Sequence, residues 1–221
     1  MEKVVSEQAP KRLGRGLFLV AVGGGLSSLW WGKSLTKAVS AIPFAPGGGW
    51  RIYTVAPTMP TFDPATWRLD VGGLVDKPVT LTYDELRAMP ATSQIRDFHC
   101  VTGWSVSNVH WKGVRLSELL DRVQPQSSAL GVQFTSAEVP YVDSLTIFQA
   151  KLHDVLLAYE MNGKPLPREH GAPVRLVIPE MYGYKNVKWV SRIDLVERAE
   201  DGYWENLGYD RDAYVGHSNG L

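Results

Sequence analysis

The 221-residue chain is 44% hydrophobic and 21% charged, ordinary globular material whose core is large enough to fold without staples. Lys plus Arg and Asp plus Glu both number 23, so no net field draws nucleic acid or an anionic membrane surface, and nucleic acid is not an expected partner. Eight Trp and nine Tyr are the compositional oddity; rings at that density fill a β-rich core or wall a cofactor off from water.

Lys3, Lys11, Arg12 and Arg15 precede an uncharged run from Gly16 to Gly32, about 17 residues long. That length is at the short edge of a spanning helix, and Gly23 to Gly25 weaken it as an anchor. Residues 1–41 therefore read as an export signal or a membrane anchor, with small residues at Val39-Ser40-Ala41 for cleavage. The basic flank stays cytoplasmic, which puts the domain in the periplasm or on the outer face of the cytoplasmic membrane. Lys11-Arg12 with Arg15 before Leu17-Phe18-Leu19 resembles a degenerate twin-arginine signal without the Arg pair, a route suited to export around a bound cofactor. Pro- and Gly-rich residues 42–50 form a linker, and a single domain covers 51–221.

Within the domain, Trp67, Leu69 and Val71 alternate as a strand does, Gly72-Gly73 turns the chain, and Val79 and Leu81 begin another strand. Thr82-Tyr83-Asp84-Glu85 fits a capping box opening a helix that Pro90 ends. Leu116, Leu119, Leu120 and Val123 predict a helix with one buried face. Val155 to Met161 reads as a strand entering the turn Asn162-Gly163, and Val174 to Ile178 and Val187 to Val196 as two more. Short strands without regular helical alternation predict an α+β, mostly β fold, and no internal repeat is visible.

Cys100 is the only cysteine, so an intramolecular disulfide is excluded; a buried filler, a nucleophile, a redox sensor and a metal thiolate stay open. There is no second Cys, and the histidines at 99, 110, 153, 170 and 217 lack paired spacing for zinc. A P-loop, a dinucleotide glycine fingerprint and a G-x-S-x-G elbow are absent. In His170-Gly171-Ala172-Pro173-Val174-Arg175, a guanidinium at a strand start can fork onto a phosphate beside an imidazole; equally, the Arg caps loop carbonyls and the His faces solvent. Just downstream, Gly183 would let backbone N–H groups approach an anion, with Lys185 and Lys188 adding charge.

The stretch from Leu156 to Pro179, with Tyr182-Gly183 and Val187-Lys188-Trp189, resembles the molybdopterin-binding domain of the sulfite oxidase family. Cys100-Val101-x-x-Trp104-Ser105 is more similar to the periplasmic protein-methionine-sulfoxide reductase catalytic subunits than to sulfite oxidase itself. The resemblance runs from about Tyr53 to Tyr209 and implies that fold with a molybdenum-molybdopterin cofactor. It implies that Cys100 is the protein thiolate on the metal, a role consistent with soft-ligand chemistry. It further implies cofactor-binding roles for Tyr53, Thr54, Ala56, Pro57, Thr135, His170, Arg175, Asn186, Val187 and Lys188, and a place for Tyr141 and Trp104 on the substrate side. Tyr141 also reads as a plain loop aromatic packed on the domain edge.

Two departures stand out. Sulfite oxidases carry a sulfite-holding Arg in the first cofactor segment, where this chain has Tyr53-Thr54-Val55-Ala56-Pro57, and Thr102 stands where the sulfoxide reductase branch has Glu. Neither a haem domain nor an immunoglobulin-like dimerisation domain is legible, so a separate redox partner, such as a membrane haem protein or cytochrome, and a monomer are expected. The expected function is a molybdenum oxidoreductase transferring one oxygen atom to or from a small or protein-bound S- or N-oxide. Sulfite or sulfur-compound oxidation is the alternative, and a non-catalytic extracytoplasmic binding module the third.

Overall fold

The computed structural model describes residues 49–217, which lie within one compact unit. The export segment and nearly all of the linker fall outside the described residues. Among the described residues no helix is long and apolar enough to cross a membrane.

Two sheets carry the fold. The first is built from β1 (Arg68–Gly73), β2 (Val79–Thr82), β5 (Gly131–Ser136), β6 (Val142–Thr146) and β10 (Val190–Val196), in the order β2-β1-β10-β5-β6. Only β1 and β10 pair in parallel; the other neighbours are antiparallel. The second runs β3 (Ala91–Cys100), β4 (Trp104–Arg115), β7 (Leu156–Met161) and β8 (Lys164–Pro165), with β9 (Arg175–Val177) also paired to β7. Among the described residues three short α-helices, α1 (Tyr83–Ala88), α2 (Leu116–Val123) and α3 (Ile147–Ala150), complete the α+β, mostly β domain.

The helices form where their sequences ask for them. Thr82 accepts from the Glu85 N–H at 3.2 Å while the Glu85 carboxylate accepts from the Thr82 N–H at 2.8 Å, the reciprocal cap read from the sequence. Those bonds also hold the Glu85 carboxyl below its ordinary pKa. Leu116, Leu119, Leu120 and Val123 are fully buried on one face of α2, each burial contributing roughly 2 kcal/mol. They join inward residues of both sheets, such as Leu69, Phe134, Ile193, Leu157 and Leu176, in the main core. Strand β7 is buried on both faces: Leu157 and Tyr159 point into that core, Leu156 and Ala158 into a second cluster with Trp111 and Val177.

Three sequence expectations shift. Gly72-Gly73 is not a turn, because the parallel pairing with Asp194 and Leu195 extends β1 through Gly73. The strand expected from Val187 starts at Val190, after Trp189 at φ 49°. The long β3–β4 hairpin and strands β5 and β6 add to the expected elements, and their inward residues, such as Val109 and Trp111 in β4 and Val132 and Phe134 in β5, do alternate with polar neighbours.

Candidate active site

The β3–β4 hairpin delivers Cys100. Its tip is a tight turn in which the Gly103 N–H donates to the Cys100 carbonyl at 3.0 Å, and Gly103 takes φ +87°, open to glycine at little cost. Cys100 thus faces Trp104 across the hairpin, half-buried, its Sγ 3.2 Å from the Thr102 hydroxyl. It opens onto a cavity of about 230 Å³ that Trp104, Tyr141, Tyr53, Thr54, His170, Arg175, Asn186 and Lys188 also line.

Arg175 enters from the first position of β9. It is 3% exposed, its guanidinium donating to the carbonyls of His170 and Asn186 at 3.2 Å and lying 5.4 Å from the Phe98 ring and 5.3 Å from Trp111. The guanidinium thus caps backbone carbonyls, the plainer of its two sequence readings, and Arg175 also lines the cavity. No carboxylate among the described residues pairs with it, and burial draws its pKa down to about 10. His170 is buried rather than solvent-facing, its ring edge-on to Trp50 at 4.6 Å. Burial first, then the Arg175 charge, lower its pKa to about 4, so the imidazole is neutral at physiological pH. Burial and Arg175 likewise bring Lys188 down to about 8. Its ammonium lies 4.1 Å from the Trp189 ring and donates to the Tyr53 carbonyl at 2.8 Å.

Asn186 braces the loop that leads to Lys188. Its Oδ1 accepts from the Ile178 N–H at 2.7 Å and its Nδ2 donates to the Met181 and Tyr182 carbonyls. Gly183 is needed for close approach: a Cβ there would sit 2.4 Å from Cζ of Phe98, which lines the cavity. The Tyr141 hydroxyl is directed inward, donating to the Tyr184 carbonyl at 2.5 Å, with its ring stacked on Tyr203. Burial, reinforced by Asp143, pushes its phenol well above the ordinary value.

Four expected site residues do not reach the cavity. Thr135 lies within β5, paired to Val142 and Arg192; Val187 is wholly buried in the main core; Ala56 and Pro57 lie beyond the lining stretch, Ala56 contributing its N–H to Glu138 at 3.3 Å. Lys185 is not an anion ligand, because its ammonium is buried against Asp143 and Glu205. The structure adds residues that sequence reading missed. Glu138, 3% exposed, accepts from the Val55 N–H at 2.8 Å and ties the segment 50–57 across the cavity. Trp50, assigned to the linker, packs on Phe98 and His170. Trp204 and Tyr209 arrive from the C-terminal stretch, which the main-chain bond from Tyr182 to Ala213 returns to the cavity. Only the density of aromatics pointed to these walls.

A soft thiol sharing an aromatic cleft with a buried, carboxylate-free guanidinium and a second cation suits an anionic, metal-bearing redox cofactor. The comparisons with known proteins agree. The family model described as "Oxidoreductase molybdopterin binding domain" matches residues 56–204, more than half of the chain, and the chain belongs to that family. It is therefore a molybdopterin-dependent oxidoreductase whose cofactor is molybdenum-molybdopterin, with the sulfite-oxidase-type fold.

Among relatives, it is 37% identical over 147 residues to the uncharacterized oxidoreductase YuiH of Bacillus subtilis, covering 66% of this chain and 74% of that one. It is 37% identical to the protein-methionine-sulfoxide reductase catalytic subunit MsrP of Xanthomonas axonopodis pv. citri (64% of this chain, 48% of that one) and 35% identical to that of Gluconobacter oxydans (72% and 56%). The branch expected from the Cys100 neighbourhood is thus supported, although the chain spans only about half the length of those subunits. The crystal structure of the sulfane dehydrogenase SoxCD from Paracoccus pantotrophus matches with TM-score 0.60 and 28% identity, over 64% of this chain and 41% of that one.

Proposed function

We propose that this enzyme transfers one oxygen atom with two electrons, working as the reductase of a small or protein-bound S- or N-oxide. The observation that carries the reading is the convergence of Cys100, Arg175 and Lys188 on one aromatic cavity. In this reading Cys100 is the thiolate on molybdenum, and Arg175 and Lys188 grip the anionic end of the pterin beside the neutral His170. Tyr53 and Thr54 close over it on the segment held by Glu138, while Asn186 fixes the loop bearing Lys188. Thr135, Val187, Ala56 and Pro57 act as supports behind the lining. Bound molybdenum supplies the two-electron oxygen-transfer chemistry; the protein orients substrate and excludes water. Trp104 and Tyr141 shape the substrate side, where exposed Ile52 and Tyr53, which line the same cavity, suit an apolar substrate.

Reduction of an oxide consumes two electrons and two protons and releases water. The electrons come from a membrane haem or quinol-linked partner, and the domain works outside the cytoplasm, exported or anchored by its N-terminal segment. The likeness to methionine-sulfoxide reductase subunits supports this direction. A second reading, oxidation of sulfite or another sulfur compound with electrons passing to a cytochrome, is favoured by Arg51. That cation lines the cavity although the expected clamp position within 53–57 lacks one.

Oxidation of a reduced dye by holoenzyme, assayed over sulfoxides and N-oxides and against sulfite with an electron acceptor, decides the matter. Turnover with oxides is expected; turnover with sulfite alone would reverse the direction.

A further inference from the structure

Behind the aromatic wall lies a cluster that neither the cofactor nor the substrate side uses. Asp143 on β6, Lys185 in the β9–β10 connection and Glu205 in the short turn Glu205–Leu207 meet with side chains at most 2% exposed. The Lys185 ammonium donates to Asp143 Oδ1 and to Glu205 Oε1, the latter at 2.5 Å. Asp143 Oδ1 also accepts from the Ser144 N–H at 2.6 Å. The second oxygens, Asp143 Oδ2 and Glu205 Oε2, are buried and find no partner among the described residues. One ammonium neutralises one carboxylate. With both acids ionised the cluster would hold an uncompensated negative charge in the buried interior, a charge that a single added proton on one carboxylate removes.

Each member of the cluster adjoins a cavity-lining residue. Tyr141 precedes Asp143 by two positions, Tyr184 and Asn186 flank Lys185, and Trp204 precedes Glu205. The peptide carbonyl leading into Lys185, that of Tyr184, is the acceptor for the Tyr141 hydroxyl. The Asn186 carbonyl, one residue further on, accepts from Arg175. The buried ammonium therefore clamps the backbone that fixes both groups.

We propose that Asp143 and Glu205 share one exchangeable proton across Lys185 and that this buried site positions Tyr141, keeping its phenol protonated and docked on the Tyr184 carbonyl. Gain or loss of that proton switches the charge directly behind the phenol. Burial raises the Asp143 carboxyl to about 7 against the pull of Lys185, with Glu205 adding to the rise. Asp143, Glu205 and Glu138 act on Tyr141 in one direction and Arg175 in the other, so the wall is set between an anionic cluster and the cavity cation. The link to turnover rests on the oxide-reductase reading; the proton site itself does not.

The test is a pH titration by NMR of as-purified holoenzyme carrying 13C-labelled Asp, Glu and Tyr, assigned with Asp143→Asn, Glu205→Gln and Tyr141→Phe. One buried carboxyl is expected to titrate near pH 7, the Tyr141 Cζ resonance following with the same midpoint, and Asp143→Asn abolishing the Tyr141 step. Glu205→Gln, the second variant if the first folds poorly, removes the same step. In turnover, Asp143→Asn flattens the limb of kcat near that pH while KM changes less than about 2-fold, and it adds nothing once Tyr141 is Phe. An Asp143 carboxyl that titrates below about pH 5, or a Tyr141 step surviving in both variants, overturns the proposal. An enzyme inactive towards every oxide but showing the coupled titration defeats the oxide reading and leaves the proton site standing.

Discussion

His170 offers a quantitative check on the cavity, because its neutrality follows from two causes seen in the structure. The ring is 7% exposed and shares its surroundings with the Arg175 guanidinium, which together move its pKa from 6.5 to about 4. Such a depression corresponds to roughly 3 kcal/mol. The unfolded chain binds the proton more readily, so the stabilisation is complete above pH 6.5 and is lost as pH falls through about 4. Asp143 works in the opposite sense, its raised pKa favouring the folded state as pH drops below about 7, so His170 must be read as a difference. Thermal unfolding of the cofactor-free protein and of its His170→Asn variant at pH 7 and pH 4.5 isolates it. The native protein should lose roughly 2.5 kcal/mol more than the variant on acidification, or roughly 5–10 °C in melting midpoint. Imidazole 15N spectra, assigned by comparison with His170→Asn, should show the His170 ring still neutral at pH 5. Equal acid losses in the two proteins, with the His170 ring titrating near 6.5, would refute the placement of His170 beside a buried cation.

Glu138→Gln removes a charged acceptor from the Val55 and Ala56 N–H groups; a loss of about 2 kcal/mol there should raise hydrogen exchange at both amides roughly 30-fold, and unchanged exchange would mean that the segment is held by other contacts. Gly183→Ala places a Cβ 2.4 Å from Phe98 Cζ, so the ring must move; pterin content measured by fluorescence of the oxidised cofactor should fall several-fold while overall folding by circular dichroism is kept. Arg175→Met removes a donor from three backbone carbonyls, those of His170, Leu176 and Asn186, and deprives the cavity of its buried cation, so pterin content should drop at least about 10-fold, more than the thermal destabilisation of the protein accounts for.

Wherever a local rule decides the outcome, the sequence anticipates the structure. The reciprocal Thr82–Glu85 cap and the four-residue apolar face of α2 appear where expected, as do the strand cores of β7 and β9. Gly72-Gly73 misled because pairing with β10, about 120 residues away, decides where β1 ends. At the site, Cys100, His170, Arg175 and Lys188 were legible through the family resemblance, whose motifs coincide with cavity-lining positions. Glu138 and Trp50 were not, since their roles arise from contacts distant in sequence, such as the bond from Val55 N–H to Glu138 and the packing of Trp50 on Phe98 and His170. Lys185 reads in sequence like Lys188, its neighbour three residues on; only the arrival of Asp143 and Glu205 from separate strands and turns separates a structural ammonium from one facing the cofactor cavity.

The central claim is that the Cys100 sulfur binds molybdenum within this cavity. X-ray absorption at the molybdenum edge, compared between native protein and Cys100→Ser at matched metal content, measures it directly. The expected result is about one molybdenum per native chain and one fewer sulfur neighbour in the variant; identical sulfur coordination in the two proteins would contradict the account.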